Sequence, residues 1–232
     1  MLSIVIPAYN EENNILKSIK SIETYFDSKK GKYEIIIVND GSKDRTEKIV
    51  KELKEKDRKI RLINNPGNKG KGYAVKNGVL NSTGDSILLV DADLFMSIAE
   101  YEKLKLWFDR GYAFCIGSKK IKGAKIKQAF YRKFMGSFFS FLVSSFFVSN
   151  IKDTQCGFKL YEAKAAKEIF LKQKINGFGF DVETLFLAKK RGVRIKEVPI
   201  SLIQNARDSK VNLIKDSFSM LFDIFKIRLL HR

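Results

Sequence analysis

The stretch from Ser86 to Asp93, SILLVDAD, constrains this chain more than any other. Ile87 to Val90 is a continuous apolar run of strand length, entered through Gly84-Asp85 and left through acids. Such a run predicts a strand buried on both faces, as strands are inside a parallel sheet flanked by helices. Asp91 and Asp93 then stand at its carboxyl end, where open α/β sheets bind their ligands. Extended geometry sends both side chains the same way, roughly 7 Å apart. Two carboxylates so placed suit a hard divalent cation, and such a cation can hold a nucleotide diphosphate. A solvated turn after a strand would explain the same residues without chemistry, because short acidic motifs recur by chance.

The chain before this strand repeats one unit. Leu2 to Ile6, closed by Pro7, leads through Ala8-Tyr9-Asn10-Glu11-Glu12 to an apolar stripe at Ile15, Ile19, Ile22 and Phe26, so strand, loop and amphipathic helix follow in order. Asn10 suits the cap of that helix, and Glu11 and Glu12 its positive end. Ile35 to Val38 predicts a second buried strand, Asn39-Asp40-Gly41-Ser42 a turn, and Asp44 with Glu47 a capping box for a helix to Leu53. Asp40 has no capping role in this reading, and a carboxylate at a strand end can accept hydrogen bonds from a nucleobase or ribose. A third strand at Ile60 to Ile63 precedes Asn68-Lys69-Gly70-Lys71-Gly72 and a helix through Ala74, Val75 and Val79. Glycines let backbone approach a diphosphate, and Lys69 or Lys71 could neutralise it, although the spacing is not that of a Walker loop. Three such units and the acidic strand predict an α/β fold: a mostly parallel, doubly wound sheet flanked by helices, with its loops gathered on one edge.

Charge separates the two halves. Of the net +18, residues 1–110 carry +3 and residues 111–232 carry +15, and the segment from Lys119 to Lys133 holds seven basic residues and no acid. It runs through a helix expected from Lys125 to Val148, which ends in the apolar stretch Phe138 to Val148. Its eleven residues fall short of the roughly 20 a spanning helix needs. Further strands are expected at Ala113 to Ile116 and Ile195 to Val198. From Leu213 the positions Ile214, Phe218, Leu221, Phe222, Phe225 and Leu229 follow helical spacing, as in a membrane-surface helix or one that packs on the domain or a second copy. Peripheral attachment to an anionic membrane surface, on its cytoplasmic face, is the expectation. Nucleic acid would account for the charge but not for the acidic strand end, and is not expected as a partner. Cys115 and Cys156 fit neither a disulfide framework nor a zinc site and read as reduced thiols of a cytosolic protein. Met1 leads straight into the first strand, so no leader peptide is expected.

Taken together, Val5-Ile6-Pro7-Ala8-Tyr9-Asn10-Glu11-Glu12, Val38-Asn39-Asp40-Gly41-Ser42, Asn68-Lys69-Gly70-Lys71-Gly72 and Asp91-Ala92-Asp93 resemble the ordered motifs of GT-A fold glycosyltransferases of family 2. Lys152-Asp153-Thr154-Gln155-Cys156-Gly157-Phe158-Lys159 and Phe180-Asp181-Val182-Glu183 resemble the branch that makes polyprenyl-phosphate sugars. The likeness implies a glycosyltransferase domain over 1–210, with a nucleotide-sugar half (1–110) and an acceptor half (111–210), before a C-terminal amphipathic helix at 211–232. It implies inverting transfer of a hexose, glucose from UDP-glucose foremost and mannose from GDP-mannose as the alternative, to a polyprenyl (dolichyl) phosphate.

The resemblance also implies roles. Pro7, Ala8, Tyr9, Asn10, Glu11, Asp40, Lys69, Gly70, Asp91 and Ala92 would bind the nucleoside diphosphate sugar. Asp91 and Asp93 would hold Mg2+ or Mn2+, and with Asp181 form the catalytic set. Gln155 and Glu183 would serve the acceptor, as would Lys119, which stands where the family has arginine and keeps the charge without the fork. The basic excess adds Arg132, Arg207 and Lys210 as acceptor-phosphate candidates. A nucleotidyltransferase is the rival enzyme class, but its glycine-rich loop after the first strand is replaced here by Ala8-Tyr9-Asn10-Glu11.

Overall fold

The computed structural model describes residues 1–94, 96–124, 151–202, 223 and 226–231. Within them a seven-stranded sheet runs in the order β3-β2-β1-β4-β6-β5-β7. Its strands are β1 (Leu2–Ala8), β2 (Tyr33–Asn39), β3 (Ile60–Asn64), β4 (Ser86–Val90), β5 (Phe114–Ser118), β6 (Phe158–Glu162) and β7 (Ile195–Pro199). The helices are α1 (Ile15–Ser28), α2 (Thr46–Lys56), α3 (Lys71–Leu80), α4 (Tyr101–Phe108), α5 (Ala163–Lys172) and α6 (Phe180–Lys190). The first four strands are parallel, as the apolar runs predict, and β7 is parallel to β5.

β6 is the exception. It lies antiparallel between β4 and β5, with Val90 opposite Phe158 and Leu88 opposite Leu160. Its sequence FKLYE carries a fully buried lysine, Lys159, and that polar residue hides the strand from an apolar-run reading.

Alternation along the strands feeds two cores. Val5, Ile36, Val38, Ile87 and Leu89 face α3, α5 and α6, while Ile4, Ile6, Ile35, Ile37 and Leu88 face α1 and α2. A fully buried isoleucine contributes about 1.5–3 kcal/mol, so these β-branched runs account for the central strands. The stripe predicted for α1 is buried as expected at Ile15, Ile19, Ile22 and Phe26, together with Ser18.

Two local expectations change. The first helix begins at Ile15, five residues beyond Asn10, so Asn10 does not cap it. Its side chain accepts from Lys43 N at 2.8 Å instead, and its own N donates to Ser42 Oγ at 3.0 Å, tying the first loop to the second. α2 begins at Thr46, which puts Asp44 one residue ahead of a capping-box position. Asp44 Oδ1 accepts from Thr46 N at 2.9 Å, while Glu47 faces Lys51 and Asn64. Of the C-terminal helix, 226–230 are helical and Ile227 is buried. The helix expected from Lys125 to Val148 lies outside the described residues, and no described helix is long and apolar enough to cross a membrane.

Candidate active site

β1 leads on one side to β2 and β3 and on the other to β4, so the strand order reverses between β1 and β4. Ligands bind outside the carboxyl ends of strands at such a switch point. The ladder runs right to this edge: Asp40 N donates to Ala8 O and Asn65 N to Asn39 O, each at 2.9 Å. The loops beyond are cross-braced, with Glu11 N donating to Thr46 Oγ1 (2.8 Å) and Glu12 N to Asp44 Oδ2 (3.0 Å). Tyr9 stands exposed above them, after Pro7 and Ala8 end their strand inside the core.

Asp40 is buried and has a structural task that the sequence does not reveal. Oδ1 accepts from Asn65 Nδ2 (2.8 Å) and Lys69 N (3.1 Å), and Oδ2 from Gly70 N (2.8 Å). One carboxylate thereby holds the whole Lys69-Gly70 loop against the end of β2. Gly70 adopts φ +102°, and a Cβ there would lie 2.5 Å from Asn176 O, so no side chain fits.

The Asp91-Ala92-Asp93 segment is a turn rather than an extension of β4, since Leu94 N donates to Asp91 O at 3.1 Å. Strand alternation therefore does not apply to the two acids, although the fold still keeps them interacting. Ser18 Oγ of α1 donates to Ala92 O at 2.7 Å and fixes the middle of the turn. Asp91 N donates to Gly157 O at 3.1 Å, and a Cβ on Gly157 would overlap the Asp91 carboxylate.

One ammonium contacts this acid and two more act on it through their charge. Lys71 Nζ, from the first turn of α3, lies 2.6 Å from Asp91 Oδ1. Burial works to raise the Asp91 pKa, but Lys71, with Lys119 and Lys159, outweighs it and holds the carboxyl below its ordinary value. Asp93 goes the other way: burial, then the charge of Asp91, push it up to about 7 against the pull of Lys71. Glu11 adds to that push, which places the first loop in the same field. Lys119 follows β5; its N donates to Asp153 Oδ2 at 2.8 Å, and the Cys156 thiol, Asp153 and Asp91 keep its ammonium pKa raised despite burial. Gln155 sits half-buried in the loop that ends at Gly157, beside Asp91.

Asp181 and Glu183 are not on the crevice surface. Both lie in the first turn of α6, buried, at the helix end that favours acids. Asp181 is ion-paired with Lys159, whose Nζ also donates to Thr154 O at 2.9 Å. Burial raises its pKa, and Lys159 and Lys71 oppose the rise. It is buried as the counter-ion of Lys159. Glu183 accepts from Lys174 N and Ile175 N, both at 2.9 Å, and turns no oxygen to the crevice. Arg132, Arg207 and Lys210 lie outside the described residues. Cys115 and Cys156 are free and buried, and burial pushes each thiol up to about 12.

Sequence reasoning offered Lys71 only as the alternative to Lys69 for the diphosphate, and left Lys159, Ser18 and Gly157 without roles at the site. Ser18 had a visible signal, a small polar residue inside an apolar helical stripe. Lys159 had one as well, a lysine within an otherwise strand-like segment.

A divalent cation fits the acids. Among the described residues no group of three or more His, Cys, Asp or Glu could enclose a metal, so two carboxylates would leave its other positions to substrate oxygens, as Mg2+ sites commonly do. Asp91 Oδ1 is shielded from water and accepts no well-directed hydrogen bond, with only the Lys71 ammonium beside it among the described residues. Burial first and the charge of Asp91 second raise the pKa of Asp93, and a bound cation would favour its ionised form against both.

A GT-A sheet with acids and lysines gathered at its switch point defines a sugar-transfer enzyme, and this chain belongs to glycosyl transferase family 2, whose sequence profile matches residues 3–170. The relatives narrow the class. The chain is 35% identical to a dolichyl-phosphate beta-glucosyltransferase of Trichomonas vaginalis, covering 100% of this chain and 74% of that protein. It is 37% identical to the dolichyl-phosphate beta-glucosyltransferase of Saccharomyces cerevisiae, over 98% of this chain and 74% of that one. A solved structure of glucosyl-3-phosphoglycerate synthase from Mycobacterium tuberculosis, in complex with Mn2+, UDP-glucose and phosphoglyceric acid, superposes with a TM-score of 0.70. At 18% identity over 98% of this chain and 79% of that one, this likeness bears on the fold alone.

Proposed function

We propose that the chain transfers glucose from UDP-glucose to the phosphate of dolichol, inverting the anomeric centre to give a β-linked glycolipid. The observation that carries this reading is Asp91, kept ionised by three lysines at the switch point and flanked by an acid of raised pKa. That arrangement matches an anionic diphosphate held through a cation, and the two dolichyl-phosphate beta-glucosyltransferase relatives supply the sugar and the acceptor.

In this reading Tyr9 stacks beside the nucleoside, between the Pro7-to-Glu11 loop and Asp40. Lys71 and Lys69 face the diphosphate, on a loop whose backbone Asp40 holds in place. Asp91 and Asp93 would hold Mg2+ or Mn2+, which when bound stabilises the departing diphosphate by Lewis-acid charge neutralisation. Lys119, with Gln155 nearby, orients the acceptor phosphate. That phosphate is already anionic at neutral pH, so its attack needs no strong general base, and the burial of Asp181 against Lys159 supports this reading. Asp181 pairs with Lys159, one of the lysines that lower the Asp91 pKa. The basic second half attaches to an anionic membrane surface where the lipid resides; 1–210 is the transferase domain, and the described end of the chain beyond it packs on that domain through Ile227 and His231.

The test is to incubate the protein with metal, dolichyl phosphate and a panel of UDP- and GDP-sugars and to identify products by mass spectrometry. Dolichyl-phosphate glucose from UDP-glucose is the expected product. Product from GDP-mannose alone would overturn the assignment of the sugar.

A further inference from the structure

Glu183 is fully buried, yet it touches the far end of the chain. The single histidine, His231, sets Nε2 2.6 Å from Glu183 Oε1. Lys190 and Lys174 fasten the same end, their ammoniums donating to His231 O (2.7 Å) and Leu230 O (3.0 Å). Glu183 in turn grips the backbone N–H groups of Lys174 and Ile175.

The segment so gripped covers the start of α3. Asn176 O accepts from Tyr73 N at 3.2 Å, which satisfies one of the N–H groups that a helix start leaves unpaired. Gln173 Nε2 donates to Gly72 O at 2.9 Å and to Ile175 O at 2.7 Å. The contact is close enough to require glycine: a Cβ at Gly72 would lie 2.6 Å from Ile175 O, and one at Gly70 would lie 2.5 Å from Asn176 O. Lys71 sits between these two glycines, and its ammonium reaches Asp91.

We infer that Glu183 and His231 are positioning residues for the sugar donor, and that through them the C-terminal end of the chain presses the 173–177 segment onto α3 and sets where Lys71 meets the diphosphate. The inference rests on the crevice being a nucleotide-sugar site. Glu183 is buried with Lys174 N, Ile175 N and His231 as partners, so its effect on turnover passes through the segment that it holds against α3. Removing the imidazole leaves Glu183 its two backbone partners, so the fold persists while the outer anchor is lost.

The test compares His231→Ala with His231→Gln, which keeps a donor for Glu183. The Michaelis constants for UDP-glucose and for dolichyl phosphate are measured together with hydrogen exchange at the Tyr73 amide. His231→Ala is expected to raise the donor constant about tenfold, leave the acceptor constant unchanged and speed Tyr73 exchange, and His231→Gln to restore most of both effects. An unchanged donor constant, or an equal rise for both substrates, overturns the inference. If the wild type shows no turnover with UDP-glucose, the proposed function fails instead. Tyr73 exchange then decides alone: unaltered protection in His231→Ala overturns the positioning role, and faster exchange upholds it.

Discussion

At the scale of single residues the site depends on two opposite environments for two neighbouring acids. Asp91 is ionised because Lys71, Lys119 and Lys159 overcome its burial, and it has room only because residue 157 is glycine. Gly157→Ala is therefore expected to displace the carboxylate and lower kcat about 100-fold, the cost of misplacing a reacting group by about 1 Å. Steady-state kinetics beside circular dichroism checks this, and a fully active Gly157→Ala enzyme would refute the packing argument. Asp93 has a folded-state pKa of about 7 against an ordinary 3.8, so the folded protein binds its proton more tightly than the unfolded chain does. Its ionisation then costs stability, by an amount absent below about pH 4 that grows as pH rises toward 7. In metal-free buffer, Asp93→Asn should gain stability relative to wild type across that window, measured by urea unfolding at successive pH values. A difference independent of pH would show that Asp93 is not perturbed in this way.

At the scale of elements, the sequence revealed what local pattern encodes. The runs at Ile35 to Val38 and Ile87 to Val90 mark strands because their neighbours along the chain suffice to define them. β6 was not legible, since Lys159 makes sense only beside Asp181, 22 residues away on another element. For the same reason Asp40 looked like a ligand and turned out also to clamp the Lys69-Gly70 loop, a contact with residues about 30 positions on. The alternation expected through Asp93 does not apply, because Leu94 closes a turn where that pattern assumes extension. The buried pair gives a test at this scale. Lys159→Met leaves Asp181 uncompensated and should cost about 3–5 kcal/mol, while adding Asp181→Leu should recover much of it. Losses that simply add in the double variant would mean the two charges do not depend on each other.

At the scale of the whole molecule, charge and chemistry divide between the halves. The first 110 residues carry nearly balanced charge and the loops proposed to bind the donor, and the remainder carries +15. Each basic group near an anionic leaflet contributes about 1 kcal/mol, and salt screens it. Binding to anionic liposomes should therefore fall steeply as salt rises, while UDP binding, governed by the crevice, changes less. Equal salt sensitivity of both would argue against that division. The central claim is that the Asp91/Asp93 crevice performs metal-dependent glucosyl transfer to a lipid phosphate. Its most direct measurement is the initial rate of glucose transfer from UDP-glucose to dolichyl phosphate, for wild type and Asp93→Asn, with Mn2+ and after chelation by EDTA. The account predicts that chelation silences the wild type, that Mn2+ restores it, and that folded Asp93→Asn stays at least about 100-fold slower with metal present. Undiminished wild-type turnover in EDTA, or near wild-type rates from Asp93→Asn, would contradict it.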